Sequence, residues 1–591
     1  MKRQLFILIL FLLSFTGIKA QTATPTPSPT PLEQKQADDA QNVQPENLRG
    51  VPAIAPNYQS DDKSLPDLGR VGVDMLQQKP LSLKEAISLA LENNKDIEVS
   101  RQNVRIAEFD LQAANGFYEP RFTGQTFYER ATTPNVSIFS TNPTTTNSSI
   151  NANAGLQGFI RKFGTVFNAG VNNQRLTTNN PISILSPQNN TSFTASVTQP
   201  LFRGRSFDQP RRTIEIAKRN LSLTDTQFRQ RTIEIITNVQ RAYWDLTFAL
   251  RNLQVQRDGV RDAKQQLEHN RRLVEEGQLA PIDIVAAETQ VANIEQGVYE
   301  ALETVSRAEN NLKNLIAANK NDMLWSESIV PTDSVDLDAP STTLPEALNV
   351  AIENRPEIEV NNVQRDINEI DRRFLLDQTK PQVDLVASYT TSGVGGSQNP
   401  DFRNIFTQTC DPSSQAYQAC QQELQVRQAA QQAQLNNLTG SSISDVFANR
   451  YPTFRVGVQF NLPLFGNQAT KAQLGRSLVQ GEQIRTQREQ IEQSIQVDVR
   501  NSLQSLRTSE ARLRAAAISR ENSQKQYESE QRKLDNGQSD VYKVLERQTA
   551  LMNARSAELR AQTELNKAIA DLQRATGNSL KANNIEARLR K

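Results

Sequence analysis

The sequence contains few of the residues on which most protein chemistry depends. Its 591 residues include two cysteines and one histidine, and none of its glycines has the spacing of a phosphate-binding loop. A histidine-based catalytic arrangement is therefore missing, and we expect neither an enzyme nor a bound cofactor. Lysine and arginine total 66 against 65 aspartate and glutamate residues. This balance gives no indication of nucleic acid as a partner.

Long apolar runs are also rare, and the amino terminus has the only one. The basic residues Lys2 and Arg3, the apolar residues 5–15 and the small residue Ala20 form the pattern of a secretory signal over residues 1–20. An uncleaved membrane anchor remains the alternative. Beyond residue 20 no stretch approaches the roughly 20 apolar residues that a membrane-spanning helix needs. Residues 21–80 are rich in Pro, Thr, Ser and Gln, and we expect them to be a disordered leader.

The two cysteines, Cys410 and Cys420, lie in one polar segment with nine residues between them. Export to an oxidising compartment favours a disulfide between them. A metal site is disfavoured, because the single histidine, His269, lies far away in the sequence. We expect His269 to be a solvated surface residue and assign it no role.

Much of the sequence is written twice. LSLKEAISLALENNKDIEV at residues 81–99 returns as TTLPEALNVAIENRPEIEV at residues 342–360, with a spacing of 261. The spacing is 260 at the glycine pair Gly277 and Gly537. A register that holds across both halves indicates a duplicated architecture, with a first repeat at 81–320 and a second at 342–577. Residues 321–341 form a connecting segment, and residues 578–591 a carboxyl-terminal tail.

Helical patterns dominate each repeat. The stretch from Gln209 to Glu276 has one glycine and no proline after its second residue, and 68 helical residues would measure about 100 Å. Its counterpart covers residues 469–536. The segments that follow carry apolar residues every seven positions, as a coiled coil requires. These are Val291, Val298, Val305 and Leu312 in the first repeat and Val544, Leu551, Leu565 and Leu572 in the second. We therefore predict antiparallel helical hairpins over 209–320 and 467–577, with tips at 277–283 and 536–541.

Between its short first helix and its long helix, each repeat changes to a period of two. Alternation is clearest at residues 381–391 and 453–463, and weaker within 120–202, where residues 152–173 resemble an additional hairpin. Apolar residues that alternate with uncharged polar ones are typical of a membrane β-barrel. We expect about four strands per chain, or six if the additional hairpin joins them. Either number is below the eight strands of the smallest barrels, so several chains must combine.

These residues resemble the TolC family of outer-membrane efflux proteins over about residues 80–580. The resemblance depends on the doubled openings, on the QPLF and LPLF junctions between strand and helix, and on two tip motifs. The tips read GQLAPIDIVAAETQ from Gly277 and GQSDVYKVLERQTAL from Gly537. The family implies a mainly helical, duplicated fold and a homotrimer with a twelve-stranded barrel in the outer membrane. It also implies a twelve-helix periplasmic tunnel, a periplasmic adaptor protein and an inner-membrane pump of the RND or ABC class. The expected cargo is small toxic compounds or polypeptides.

The resemblance also assigns roles to residues at the two tips. Asp283 matches a residue that closes the periplasmic entrance, and Glu546 matches one position of an acidic ring at that entrance. Lys543 stands where the other acidic position is expected, and Ser539 replaces an arginine that closes the tip. The expected gate residues are Asp283, Ser539, Asp540, Lys543 and Glu546, and the expected adaptor contacts are Gly277, Leu279, Ala280, Gly537 and Gln538. We expect Lys543 to pair with Glu546 or with Asp283; the alternative for each charge is a solvated helix end.

The sequence is also compatible with a second class of protein. A coiled-coil surface or adhesion protein would also have long helices, and its strands would form a head domain. The loop 392–451 would face the outside of the cell in an efflux channel, and its segment 414–438 is expected to form a helix next to the disulfide. That loop has three possible roles, as a lid, a receptor site or a surface elaboration.

Overall fold

The computed structural model of the chain describes residues 69–135, 143–338, 340–402, 410, 412–413, 415, 417–462 and 466–585. The expected signal peptide, residues 21–68 of the expected leader and the PLF motif at 463–465 lie outside this described part.

In chain order, the described elements alternate between helical and β segments. They are β1 (Asp74–Leu81), α1 (Leu83–Asn93), α2 (Lys95–Asn115), β2 (Arg121–Pro134), β3 (Thr144–Ile160), β4 (Thr165–Thr178), β5 (Leu185–Pro200), α3 (Gln209–Glu275), α4 (Ile282–Ile316), β6 (Glu327–Pro331), α5 (Leu344–Asn354), α6 (Pro356–Gln378), β7 (Gln382–Gln398), α7 (Tyr417–Leu438), α8 (Ser442–Phe447), β8 (Tyr451–Asn461), α9 (Gln468–Asp535), α10 (Val541–Ala575) and α11 (Ser579–Ala582).

The two halves contain matching helices. α1 and α5 have 11 residues each, α3 and α9 have 67 and 68, and α4 and α10 have 35 each. The long helices are rods of about 100 Å. Each begins at a side-chain cap, since Asp208 accepts the N–H of Arg211 and Asn467 accepts the N–H of Thr470. The mainly helical, duplicated fold predicted from the sequence is confirmed.

The apolar seam of each hairpin is buried between its two helices. The buried seam residues are Val291, Ile294, Ala301, Val305, Ala308 and Leu312 in α4 and Val544, Leu551, Ala554, Ala561, Leu565, Ala568 and Leu572 in α10. Glu558 interrupts the second series, and its carboxylate lies 2.9 Å from Nε of Arg520 on α9. The residue that interrupts the apolar series therefore forms an ion pair between the two helices of one hairpin.

Six of the eight described strands form one antiparallel sheet, in the order β2-β3-β4-β5-β7-β8. The four expected strands are β2, β5, β7 and β8. The additional hairpin, which the sequence left open, is β3–β4 and lies inside the sheet between β2 and β5. The sheet therefore has two strands more than the expected four, because both strands of this hairpin are long enough to pair with their neighbours along most of their length.

Part of the expected leader is ordered, which corrects the boundary at residue 80. β1 pairs in parallel with β6, a strand that the sequence did not indicate in the connecting segment. Arg70 is 8% exposed, and its Nη1 lies 2.8 Å from Oε2 of Glu309. Glu309 also accepts the N–H of Ile329 at 2.9 Å and lies 3.4 Å from Nζ of Lys313. This pairing and the buried charges hold residues 69–80 against the helices.

The loop between β7 and β8 folds back onto the sheet. Cys410 and Cys420 form a disulfide, with their Cα atoms 5.9 Å apart, and α7 begins within this bridge. The short helix α8 packs on β5 and β7, where the Oγ of Ser442 lies 2.7 Å from Oγ1 of Thr191. Gly393 of β7 makes this possible, because a Cβ there would lie 2.0 Å from the carbonyl oxygen of Ser442.

Candidate functional site

The six-stranded sheet has one apolar face and one polar face. In an antiparallel sheet, directly paired residues lie on the same face. The pairs Phe122–Leu156, Ala169–Ala195 and Val456–Ala387 therefore belong to one face, which continues across all six strands. The large side chains on this face that are exposed in the single chain are Phe122, Tyr128, Ile150, Leu156, Ile160, Val171, Val197, Leu385, Phe454, Val456, Val458 and Phe460. Such a wide apolar surface is unusual on a monomeric soluble protein and suits contact with lipid.

The opposite face is polar and mostly uncharged. It carries Asn, Gln, Ser and Thr side chains from the central strands, and these line a pocket. The polar side chains of this lining are Thr123, Asn153, Gln157, Asn168, Asn172, Ser192, Thr194 and Ser196. A polar, concave surface behind an apolar one is the arrangement of a barrel wall that encloses water.

The first hairpin tip is a tight turn around Gly277. This glycine has φ +75°, in the left-handed region that glycine favours, and the N–H of Gln278 bonds to the carbonyl of Leu273 at 2.8 Å. The returning helix α4 then begins at Ile282. Oδ2 of Asp283 accepts the backbone N–H of Ala280 at 3.1 Å, so this carboxylate caps its own helix.

The second tip has the same turn and a different cap. Gly537 has φ +67° and is followed by a bond from the N–H of Gln538 to the carbonyl of Lys533 at 2.8 Å. Asp540 accepts the backbone N–H of Lys543 at 2.9 Å, and the Lys543 ammonium lies 2.9 Å from the same carboxylate. The Lys543 ammonium lowers the pKa of Asp540 below its ordinary value, and Asp540 raises the pKa of Lys543.

A second ion pair, between Lys533 and Glu530, lies beside the pair of Lys543 and Asp540 at the second tip. The Ser539 hydroxyl donates to Glu530, and the Lys533 ammonium lies 3.1 Å from the other oxygen of that carboxylate. The hydroxyl contact and, after it, the ammonium hold the pKa of Glu530 below its ordinary value. Glu530 belongs to the last turns of α9, and sequence reasoning did not single it out. In the sequence, the only feature that connects Glu530 with the tip is that it lies nine residues before Ser539.

These caps account for the opposite charges of the two tips. The spacing of 260 aligns Ala280 with Asp540 and Asp283 with Lys543. A helix start offers two capping positions three residues apart, and a carboxylate at either one satisfies a free backbone N–H. The first tip has its aspartate, Asp283, at the later of these two positions, and the second tip has its aspartate, Asp540, at the earlier one. Within the described chain Lys543 therefore pairs with Asp540, and not with Glu546 or Asp283 as we expected.

The two tips contact each other. Leu279 of the first tip packs against a buried cluster of the second hairpin, formed by Leu534, Val541, Val544 and Leu545. Close by, Nε2 of His269 lies 3.1 Å from Oδ1 of Asp535 on the second hairpin, and the side chain is partly buried although we expected a solvated surface residue.

Several apolar side chains remain exposed at the tips. Ile282 and Val285 of the first tip are 69% and 53% exposed, and Tyr542 of the second is 74% exposed. Ile282 and Tyr542 are equivalent at the spacing of 260. Sequence reasoning missed all three, although large apolar residues five to eight positions after a turn glycine were a visible signal. Glu546 is also exposed, one turn further along α10.

Two classes of site are not found in the described residues. No group of three or more His, Cys, Asp or Glu side chains there could hold a metal ion. None of the helices in the ranges given above combines the length and the apolar character needed to cross a lipid bilayer.

Comparison with solved structures shows the same fold in outer membrane channels. A membrane protein from Pseudomonas aeruginosa matches with a TM-score of 0.58 and 16% identity, over 89% of this chain and 97% of that one. The Campylobacter jejuni CmeC outer membrane channel matches with a TM-score of 0.57 and 15% identity, over 90% and 98%. The open state of the Neisseria gonorrhoeae MtrE outer membrane channel matches with a TM-score of 0.54 and 15% identity, over 84% and 89%.

Sequence comparison points to one family. No curated protein was found to match this chain. The sequence model described as outer membrane efflux protein matches residues 166–318 and 347–578, which is more than half of the chain and includes both hairpins. The resemblance to the TolC family is thereby confirmed, and the chain belongs to the outer membrane efflux protein family.

Proposed function

We propose that three copies of this chain form a tunnel that carries cargo from a periplasmic adaptor and an inner-membrane pump, of the RND or ABC class, to the outside of the cell. The cargo would be small toxic compounds or polypeptides. One observation carries the proposal: a sheet with an apolar and a polar face is joined directly to two helical hairpins of about 100 Å. Such a molecule spans lipid with its strands and the periplasm with its helices.

Assembly of several copies follows from the backbone of the sheet. A chain with six strands is below the smallest membrane barrels, and in lipid the open edges would leave backbone groups without partners. The alternative, a surface adhesion protein with a soluble head, is not favoured. Phe454 and Val456 are 74% and 75% exposed on the apolar face, which a soluble head would have to bury.

The tips would form the gate at the periplasmic entrance. The proposed gate residues are Asp283, Ser539, Asp540, Lys543 and Glu546. In a trimer, three copies of the exposed Glu546 would surround the axis and attract cations. Lys543 is held by Asp540 within its own chain, so it partly neutralises the acidic ring of its tip.

The same tips would contact the adaptor. The turn residues Gly277, Leu279, Ala280, Gly537 and Gln538 are the proposed contacts, and the exposed Ile282 and Tyr542 add an apolar surface to them. Exposed apolar side chains surrounded by polar ones are typical of protein interfaces.

The experiment that tests the function is extraction of the tagged full-length chain from the outer membrane of its host. We expect a trimer on mild detergent gels that dissociates on heating, and increased sensitivity to toxic compounds in cells that lack the chain. Recovery of the chain in the soluble fraction would contradict the proposal.

The gate has its own measurement. In planar lipid bilayers, Glu546→Gln should weaken block of the channel by divalent cations, because three negative charges leave the entrance. Glu521→Gln on the exposed surface of α9 removes the same charge away from the tips and serves as control. Equal block in both variants would remove Glu546 from the entrance.

A further inference from the structure

The position of the hairpin β3–β4 determines how wide the barrel is. We propose that three copies of the chain close a barrel of eighteen strands, six from each copy, in which this hairpin is part of the wall. The proposal rests on the trimer proposed above, and it departs from the twelve strands that the family resemblance implies.

The first observation is the pairing of the hairpin on both sides. β3 pairs with β2 from Gln157–Arg121 at one end to Thr144–Pro134 at the other. β4 pairs with β5 from Val166–Thr198 to Leu176–Gln188. β2 and β5, which would otherwise be neighbours, are thereby separated by two full strands. A hairpin that projected from the barrel as a surface loop would leave β2 and β5 hydrogen-bonded to each other.

The second observation is that the hairpin keeps the two-faced pattern of its neighbours. Ala154 and Leu156 of β3 and Ala169 and Val171 of β4 lie on the apolar face. The alternate residues lie on the polar face, among them Asn151, Asn153, Gln157, Asn168 and Asn172. Because the side-chain period is two, a shift of one residue in either strand would reverse this order. The pattern and the register therefore agree that the hairpin faces lipid on one side and water on the other.

The third observation concerns the edges of the sheet. Within the described residues β2 and β8 each have a hydrogen-bonded neighbour on one side only. Phe122 and Tyr128 of β2 are 76% and 63% exposed, more than Ile150 and Leu156, their partners on β3, at 46% and 42%. β2 has 14 residues and β8 has 11, so both edges are long enough to cross lipid, and such edges in lipid require a partner strand.

A second copy of the chain fits both edges. β2 and β8 stand at opposite ends of an antiparallel sheet with an even number of strands, so they run in opposite directions. When β8 of one copy lies beside β2 of the next, the new pair is again antiparallel. The same contact repeated around a threefold axis closes the ring without leaving an edge.

The consequence is a wider passage. With strands about 4.8 Å apart and tilted by about 40°, eighteen strands give a backbone diameter of about 36 Å, and twelve give about 24 Å. The cross-section within the backbone is therefore about 2.2-fold larger, since it scales with the square of the diameter. Uncharged Asn, Gln, Ser and Thr side chains on β3–β5 line this space, so the added wall does not select cargo by charge.

The decisive experiment compares two cysteine variants of the full-length trimer. Cys410 and Cys420 are bonded to each other, so an introduced cysteine is the reactive thiol. Asn153→Cys should react with a water-soluble maleimide, and the adjacent Ala154→Cys should be protected by lipid. Ser196→Cys and Ala195→Cys on β5 are the matched pair in an undisputed wall strand. Equal labelling of positions 153 and 154, with alternation preserved on β5, would overturn the proposal while leaving the channel function intact.

A deletion measures the width. Removing residues 136–183 takes out the hairpin and lets β2 connect to β5, which run in opposite directions and can pair. In this background, reaction of Ser196→Cys with polyethylene-glycol maleimides of increasing mass, added outside, should stop at a smaller mass than in the full chain. An unchanged size limit in an assembled deletion trimer would overturn the proposal, as would a native mass that corresponds to two chains. If the deletion variant fails to assemble, the labelling pattern of the full-length chain decides.

Discussion

The buried carboxylate of Glu309 provides the sharpest test of how the chain is held together near the middle of its helices. Its side chain is 1% exposed and lies between two buried cations, Arg70 and Lys313. It also accepts the backbone N–H of Ile329 in β6. Burial lowers the pKa of Lys313, and the negative charge of Glu309 acts against that shift. Glu309→Gln keeps the shape and one acceptor oxygen and removes that charge.

The expected cost is large because the cations remain. Removing one partner of a buried ion pair typically costs about 3–5 kcal/mol. Since about 1.4 kcal/mol corresponds to a factor of ten, local opening of β1 and β6 should become about two to four orders of magnitude more frequent. The exposed pair of Glu303 and Arg307 on the same helix gives the control. Glu303→Gln should cost less than about 1 kcal/mol.

Hydrogen exchange followed by mass spectrometry measures this opening without requiring reversible unfolding of a membrane protein. The peptides to follow cover residues 74–81 and 327–331 in the purified protein. Adding Lys313→Met to Glu309→Gln should recover part of the lost protection, because one unpaired cation then disappears. Exchange in Glu309→Gln within a few-fold of the Glu303→Gln control would refute the reasoning, as would a double variant that is no better protected than the single one.

Two further predictions concern other parts of the helices. The hydroxyl of Tyr243 accepts the backbone N–H groups of Thr332 and Asp333, just after β6, and burial raises the pKa of this hydroxyl to about 12. Tyr243→Phe should lower the free energy of local opening, measured by hydrogen exchange, by about 1–3 kcal/mol. Tyr542→Phe at an exposed tip serves as the control and should change it by nothing measurable. At the second tip, Asp540→Ala should open the first turn of α10 by about 1 kcal/mol, and Asp540→Asn, which keeps the cap, should not. Because the folded pKa of Asp540 lies below the ordinary 3.8, its cap is complete above that pH and is lost as the pH falls through the lowered value. Exchange of the Lys543 amide, measured between pH 6 and pH 3, checks both the cap and its pH dependence. Loss of protection that begins well above pH 4 would contradict this account.

The tips illustrate what could be predicted of the candidate site. Gly277 and Gly537 were identified as turns from local sequence, since a positive φ after a helix end is a local requirement. The partner of Lys543 was not, because Asp540 and Glu546 each lie three residues from it in the sequence and only the helix start selects Asp540. The exposure of Ile282 and Tyr542 depends on how the two hairpins pack. The proposed roles of these residues in gating and docking remain predictions.

By itself, the sequence determined the repeating parts of this protein. The near absence of proline and glycine set the length of α3 and α9, the seven-residue spacing of apolar residues set the seam of each hairpin, and the alternation of period two set the two faces of the strands. These are local properties, because each follows from the geometry of a single helix or strand. Only the tertiary structure decided which distant segments meet. It paired β1 with β6, brought Arg70 to Glu309, and inserted β3–β4 between β2 and β5. The physical reason is that pairing across long separations depends on the combined register, burial and charge of both partners, which neither segment carries alone.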